Sequence, residues 1–307
     1  MASRSREDCP PALSGDSFEI DDPKAGRIRV YATTHVDAGD HGERPLLLVH
    51  SVNAAASAFE VRPVYDHYRS SRPTYALDLP GFGLSERSAR DYTPRLMTDA
   101  IHAVVRTIRE RHGEAPIDAL ALSLGCELLA RAATEDAGAF RSLALVSPTG
   151  FNGTRARHGA KGSTREVPGL HSVLSWSAWD QALFSNLTRP GVIRFFLEKT
   201  WGGRTIDEEL WAYDVLAVKA PGARHAPLAF LSGKLFSNDV TSLYEALDVP
   251  VWMSHGVRGD FVDYRGAEAM KSRPNWRITP FQACAMPYFE LREDFIAAYD
   301  RFLASTA

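Results

Sequence analysis

Residues 118–133 read DALALSLGCELLARAA, and Ser123 is the side chain in that stretch best placed to do chemistry. An apolar run ends at Leu122, the serine follows, and helical spacing begins at once, so the chain must turn sharply there. A turn of that kind crowds its own backbone and favours small residues two places before and two after the serine, and Ala121 and Gly125 stand there. The pattern is a relaxed form of the G-x-S-x-G turn, which lifts a serine hydroxyl above a sheet and puts a helix N-terminus behind it, where negative charge is favoured. A serine that merely caps a helix gives the same local pattern. At neutral pH a serine hydroxyl without a base is a weak nucleophile, so the reading depends on what else converges on Ser123.

The surrounding elements are of the kind that could position it. RIRVYATT, PLLLVH, PTYALDL, IDALALS, SLALVSP, VPVWMSH and WRITPF are short apolar runs that read as strands, several without the alternation of a half-exposed strand. Stretches with apolar residues at three- and four-residue intervals lie between them, including AASAFEVRPVYDHYRS, PRLMTDAIHAVVRTIRERHG and LGCELLARAATEDAG. Strand and helix in alternation predict an α/β protein with a mostly parallel sheet. The alternation stops between about Phe151 and Leu247, where helical segments rich in Trp and Phe follow one another. This reads as a helical insertion after SLALVSP, its aromatics serving chiefly for packing and secondarily as an apolar pocket wall.

Two further stretches bear on Ser123. LLLVHSVNAAASAF and YALDLPGFGLSERS flank the second and third apolar runs, and the latter carries an Asp-x-Pro-Gly-x-Gly-x-Ser turn. Gly81 and Gly83 belong to that turn and not to a dinucleotide loop, since the third glycine is missing and no helix starts there. With the serine turn, these stretches in this order resemble the α/β-hydrolase fold, in particular its capped esterase, peptidase and C–C hydrolase members, from about Arg27 to Leu303. The resemblance implies a mostly parallel central sheet flanked by helices, with a core at residues 27–150 and 248–307 and a helical cap at 151–247; residues 1–26 read as a loose arm. It implies the backbone amides of Leu124 and Val52 as oxyanion donors, with Ser51 beside them where the family usually has glycine. It also implies a structural role for His50.

The rest of the expected triad departs from the family pattern. Set against Gly-x-x-Asp-x-x-Val, the stretch HGVRGDFVDY places Gly256 and Val262 in register and puts Gly259 at the acid position, with Asp260 one residue late and Asp263 a more distant substitute. Set against Gly-His-x-Pro-x-x-Glu, the stretch ACAMPYFE fits at Pro287 and Glu290 but puts Ala285 where the histidine belongs. Cys284 beside it reads as apolar filler. The histidines open to recruitment as base are His255, at the end of a strand on the correct rim, and His225, in the insertion; structural or surface roles compete for both. The candidate catalytic set is therefore Ser123, Asp260 and His255, with Leu124, Val52 and Ser51 around the oxyanion.

Composition narrows the class. The chain has 307 residues, 45% hydrophobic and 24% charged, with a formal net charge of −3. Near-neutral charge gives no footprint for nucleic acid, and no run approaches the ~18 apolar residues of a membrane span. The N-terminus lacks an apolar signal region, which makes the cytoplasm the expected location and gives the NLT at Asn186 little weight as a glycosylation site. Cys9, Cys126 and Cys284 fit neither a disulfide framework nor a zinc site, and no cofactor or metal is expected. The RGD at Arg258–Asp260 is simply the loop of the acid position. GTRARHGAKGSTRE, with Arg155, Arg157, Lys161 and Arg165, reads as a solvated loop or as a guide for an anionic substrate or carrier.

The resulting expectation is an enzyme acting on a small or medium apolar carbonyl or ester substrate, with Ser123 as nucleophile or hydrogen-bond donor. Ordinary triad hydrolysis is disfavoured by Ala285, which leaves a lyase, cyclase or carbonyl-polarising isomerase open, and beside it a catalytically inactive ligand-binding protein.

Overall fold

The run PLLLVH offers no polar side chain to water before its histidine, so a strand made from it must be covered on both faces. In the structure, a computed structural model describing residues 9–33, 44–261 and 263–306, it is: β3 (Leu46–Val49) lies between β4 (Thr74–Leu77) and β5 (Ile117–Leu122), parallel to both. The eight strands of the sheet run in the order β1-β2-β4-β3-β5-β6-β7-β8. The others are β1 (Asp16–Asp22), β2 (Gly26–Thr33), β6 (Phe140–Val146), β7 (Val251–Gly256) and β8 (Trp276–Phe281). Only β1 with β2 and β2 with β4 pair antiparallel.

Strand period two divides the interior into two layers. Leu47, Val49, Ala119, Ala121, Leu143 and Leu145 pack with α2 (Pro94–His112) and α3 (Gly125–Glu135), whereas Leu46, Leu48, Leu120, Leu122, Ala144 and Val146 pack with α1 (Arg62–Tyr68) and α11 (Arg292–Ser305). Asp118, a carboxylate inside β5, is fully buried, and this is tolerable because Arg72 pairs with it at 2.6 Å and Ser142 donates to it at 2.6 Å.

The seven strands read from the sequence are all present, and one more is added. Residues 1–8 of the expected arm lie outside the described residues, as does Val262. Residues 16–22 of that arm are not loose: they form β1, an edge strand that inserts Phe18 and Ile20 against the core. Its acidic composition is poor for a strand, and pairing with β2 along its full length overrides that propensity.

The insertion carries α4 (Leu170–Leu174), α5 (Asp180–Leu187), α6 (Pro190–Trp201), α7 (Glu208–Ala217) and α8 (His225–Leu231). The next helix, α9 (Val240–Glu245), lies before the expected cap boundary at residue 247, yet it buries Val240, Leu243 and Tyr244 in the same layer as the sheet residues and packs on α3. Two buried attachments tie the insertion's end to α3: Arg131 pairs with Asp239 at 2.7 Å, and the Ser237 N–H donates to Glu127 at 2.7 Å. The short α10 (Pro287–Glu290) leads into α11. No helix among the described residues is long and apolar enough to cross a membrane.

Candidate active site

Ser123 sits between β5 and α3 with φ 53°, a left-handed conformation that few side chains adopt. Such a residue carries roughly 1–3 kcal/mol of strain, held here by the surrounding hydrogen bonds. Its N–H donates to the Val146 carbonyl at 2.8 Å, and its own carbonyl accepts from Cys126 N–H at 3.1 Å. The small residue required two places on is explained by the neighbouring loop: a Cβ on Gly125 would lie 2.4 Å from the His50 carbonyl oxygen. That close approach brings the loop after β3 against the serine turn.

The loop itself is laced by groups that the sequence did not single out. Glu60, buried on the segment before α1, accepts from the Ser51 N–H at 2.8 Å, the Ser51 hydroxyl at 2.9 Å and the Asn53 amide at 2.7 Å. Both polar groups of Ser51 are thereby committed, so it shapes the loop. His50 is fully buried; Leu79 N–H donates to its Nε2 at 2.9 Å, which places the proton on Nδ1, and that nitrogen donates to the Ser51 carbonyl at 2.5 Å. Burial lowers its pKa further, and the residue acts as a neutral brace. The amides of Leu124 and Val52 donate to no group among the described residues, and both residues line the same cavity as Ser123.

That cavity has a volume of about 580 Å³ and lies between the C-terminal ends of the strands and the insertion. Leu122, Pro148, Leu197, Phe230, Phe236, Phe261 and Met286 give it an apolar wall. Ser147, Thr149, Tyr264, Arg157 and Arg165 give it polar groups that converge with Ser123. Its size suits a small or medium molecule.

The expected acid and base are not brought to it. Ala285 lines the cavity at the position of the missing histidine, its carbonyl accepting from the Ser147 hydroxyl at 2.5 Å and its N–H donating to the Thr200 carbonyl at 3.2 Å. Cys284 is buried, its thiol pushed up to about 12 by that burial, so it is filler and not a nucleophile. His255, the candidate base, is outside the cavity lining, bonded through Nδ1 to the Gly256 carbonyl at 2.8 Å and packed on Tyr264 at 4.2 Å between ring centroids. It projects from β7 on the α9 side because strand residues alternate, whereas Ser254 beside it faces the other way. His225, at the start of α8, also lies outside the lining.

Asp260, the candidate acid, is likewise outside the lining. It is half-exposed and pairs with Lys199 of α6 at 3.0 Å, while its N–H donates to the Lys199 carbonyl at 3.0 Å. Asp263 does reach the cavity, yet Arg265 holds it at 2.7 Å and keeps its carboxyl well below the usual range. What survives of the family frame is a staple: Glu290 accepts from Cys284 N–H at 2.9 Å and pairs with Arg258, whose Nε donates to the Trp201 carbonyl at 3.0 Å. The loops at residues 256–260 and 283–287 and the end of α6 are thus tied together through Glu290 and Arg258.

No group of three or more His, Cys, Asp or Glu side chains among the described residues could hold a metal ion.

The serine turn, the loop packed on it and the capped sheet define a protein built on the α/β-hydrolase plan. The model of the alpha/beta hydrolase family matches residues 46–298, and the chain belongs to that family. Solved structures agree in fold. A probable hydrolytic enzyme from Pseudomonas aeruginosa superposes with a TM-score of 0.72 at 18% identity, covering 97% of this chain and 99% of that one. A thermophilic esterase from Thermogutta terrifontis gives 0.68 at 18% identity over 95% and 99%. A meta-cleavage product hydrolase from Pseudomonas fluorescens gives 0.67 at 15% identity over 95% and 98%. No curated protein of known function matches the sequence significantly.

Proposed function

We propose that the protein is an α/β-hydrolase-family enzyme that binds a small or medium carbonyl compound in the Ser123 cavity and polarises it without forming a triad-driven acyl-enzyme. The carbonyl oxygen meets the amides of Leu124 and Val52, and Ser123 serves as a hydrogen-bond donor. The observation that carries this reading is Ala285: in the cavity, where the family places its base, the side chain cannot accept a proton. Removing one member of a working triad leaves only ~10³–10⁴-fold catalysis over water, which favours a reaction that needs polarisation and proton placement over ester hydrolysis. A lyase, cyclase or isomerase step fits that requirement, since preorganised oxyanion donors are each worth ~2.7–4 kcal/mol in a transition state that develops charge on oxygen. A cytoplasmic setting is part of the same proposal and is supported by Cys9, Cys126 and Cys284 all being free thiols.

The test is labelling with a fluorophosphonate, which reads serine nucleophilicity directly. Wild type should label no faster than Ser123→Ala, and Ser123-dependent labelling should appear in Ala285→His. Strong Ser123-dependent labelling of the wild type, or turnover of p-nitrophenyl esters abolished by Ser123→Ala, would sink the proposal. Either result would require a base for Ser123 other than the side chain at position 285.

A further inference from the structure

Arg157 and Arg165 come from the basic stretch GTRARHGAKGSTRE, and both line the cavity that holds Ser123. Each is carried on backbone fixed to a neighbouring segment. Arg157 exchanges hydrogen bonds with Thr241, its N–H donating to the hydroxyl at 2.8 Å and its carbonyl accepting from Thr241 N–H at 3.1 Å. The Arg165 N–H donates to the Phe236 carbonyl at 2.9 Å, and its guanidinium lies 4.9 Å over the Phe236 ring. The two side chains are therefore carried on backbone hydrogen-bonded to neighbouring segments, within a stretch whose other residues are largely exposed.

Neither guanidinium forms an ion pair with a carboxylate among the described residues, in contrast to the neighbouring Arg131, paired with Asp239, and Arg265, paired with Asp263. The carboxylates near the cavity are already committed. Glu60 holds Ser51 and Asn53, Asp263 is occupied by Arg265, and Glu127 accepts from the Thr149 hydroxyl at 2.5 Å and from Ser237 N–H. Burial and then the positive charge of Arg157 lower the Arg165 pKa. The charge of Glu127 opposes that lowering only in part, so two like charges, neither in a direct ion pair, repel each other. An oxyanion placed between them would relieve that repulsion and accept charge-assisted hydrogen bonds from both.

We propose that Arg157 and Arg165 form an oxyanion subsite of the cavity, taking a carboxylate or phosphate, so that the molecule whose carbonyl meets Ser123 carries its negative charge toward the basic stretch. The inference rests on the reading of this cavity as the substrate site but not on the chemical role given to Ser123.

Calorimetric titration of the full chain with adipate, with phenyl phosphate and with neutral adipamide tests it, and which anion binds separates the two sources. The expected result is binding of at least one anion, weakened by added salt, with no binding of adipamide. Arg157→Gln and Arg165→Gln should each weaken that binding roughly ten- to hundred-fold, the range for losing one hydrogen bond to a charged group. Arg155→Gln, in the same stretch but exposed and outside the cavity lining, should leave it unchanged. The titration reads binding without turnover, so failure of the polarisation reading would not remove anion binding. If a glutamine variant fails to fold, Arg157→Lys and Arg165→Lys carry the same comparison with charge kept and the bidentate fork lost. The proposal is overturned if neither anion binds, if the double glutamine variant binds as well as wild type, or if Arg155→Gln weakens binding as much as the other two.

Discussion

Restoring an acid at position 259 should fail for reasons of backbone, and the size of the failure can be worked out. Gly259 has φ 107°, and a Cβ built on it would lie 2.6 Å from the Thr200 carbonyl oxygen and 2.9 Å from that of Lys199. Both oxygens belong to the last turn of α6, so they cannot withdraw unless that turn unwinds. A side chain forced to such a φ costs about 1–3 kcal/mol, and overpacking of this kind costs about 1–3 kcal/mol more. Gly259→Ala should therefore lose roughly 2–6 kcal/mol, a large share of the ~5–15 kcal/mol typical of a native protein. Gly259→Asp should lose another ~0.3–1 kcal/mol, because it sets a negative charge against the carbonyl end of a helix. Denaturant titration of the two variants beside wild type measures both quantities. At about 2 °C per kcal/mol, thermal melting should fall by roughly 4–12 °C for the alanine variant. If Gly259→Ala unfolds within about 0.5 kcal/mol of wild type, the ordinary range for a neutral surface change, the contact between this loop and α6 is not as described, and a triad acid at 259 becomes admissible again.

Two further outcomes follow from buried charge. Asp214 in α7 is buried with Oδ1 unpartnered, and burial, then the charge of Glu60, raises its pKa well above the ordinary aspartate value of 3.8. A carboxyl whose folded pKa is raised binds more protons in the native than in the unfolded state, so stability falls as pH rises above about 3.8; Asp214→Asn should be more stable than wild type at neutral pH, with the advantage vanishing as the pH falls to that value, as followed by melting across pH. The buried pair of Arg131 and Asp239 closes the insertion onto α3, and Asp239→Ala should lose about 3–5 kcal/mol by leaving the guanidinium uncompensated, whereas a matched Arg131→Met, Asp239→Leu double variant should recover much of that loss in denaturant titration.

What could be read from the sequence was whatever depends on neighbours in the chain. β3 to β7 announced themselves because a strand buried on both faces must be apolar at nearly every position, β2 by the alternation of Ile28 and Val30 with Arg27 and Arg29, and the serine turn because a crowded backbone restricts the residues two places either side. β1 was missed because its stability comes from β2, which no local propensity reports. Glu60 was missed for the same reason: it is one carboxylate in an amphipathic stretch, and its function appears only once the loop after β3 folds back over it. The signal was present in a weak form, since Glu60 stands between Phe59 and Val61, both apolar and both buried. His255 and Asp260 were legible by rim position alone, whereas their side-chain directions were not: one faces the α9 side of the sheet, and the other pairs with Lys199 on the insertion.

The staple through Glu290 explains how the family frame around the missing base could persist while the base did not. Pro287 and Glu290 belong to the family's pattern beside the histidine, and here Glu290 has work independent of it: it holds Cys284 N–H and Arg258, and through Arg258 the end of α6. Those contacts position the walls of the cavity, including Ala285, Met286 and Thr200, whatever side chain stands at 285. Cavity shape thus gives Pro287 and Glu290 a role that does not depend on the side chain at 285. Gly125 packed beneath His50 likewise holds the serine turn and the loop after β3 together through backbone. The serine turn and the loop after β3 are joined by backbone contacts that do not depend on the side chain at 259 or 285. Under the proposed polarisation chemistry, those contacts keep the amides of Leu124 and Val52 at the cavity, and the proton is supplied or accepted by the substrate itself.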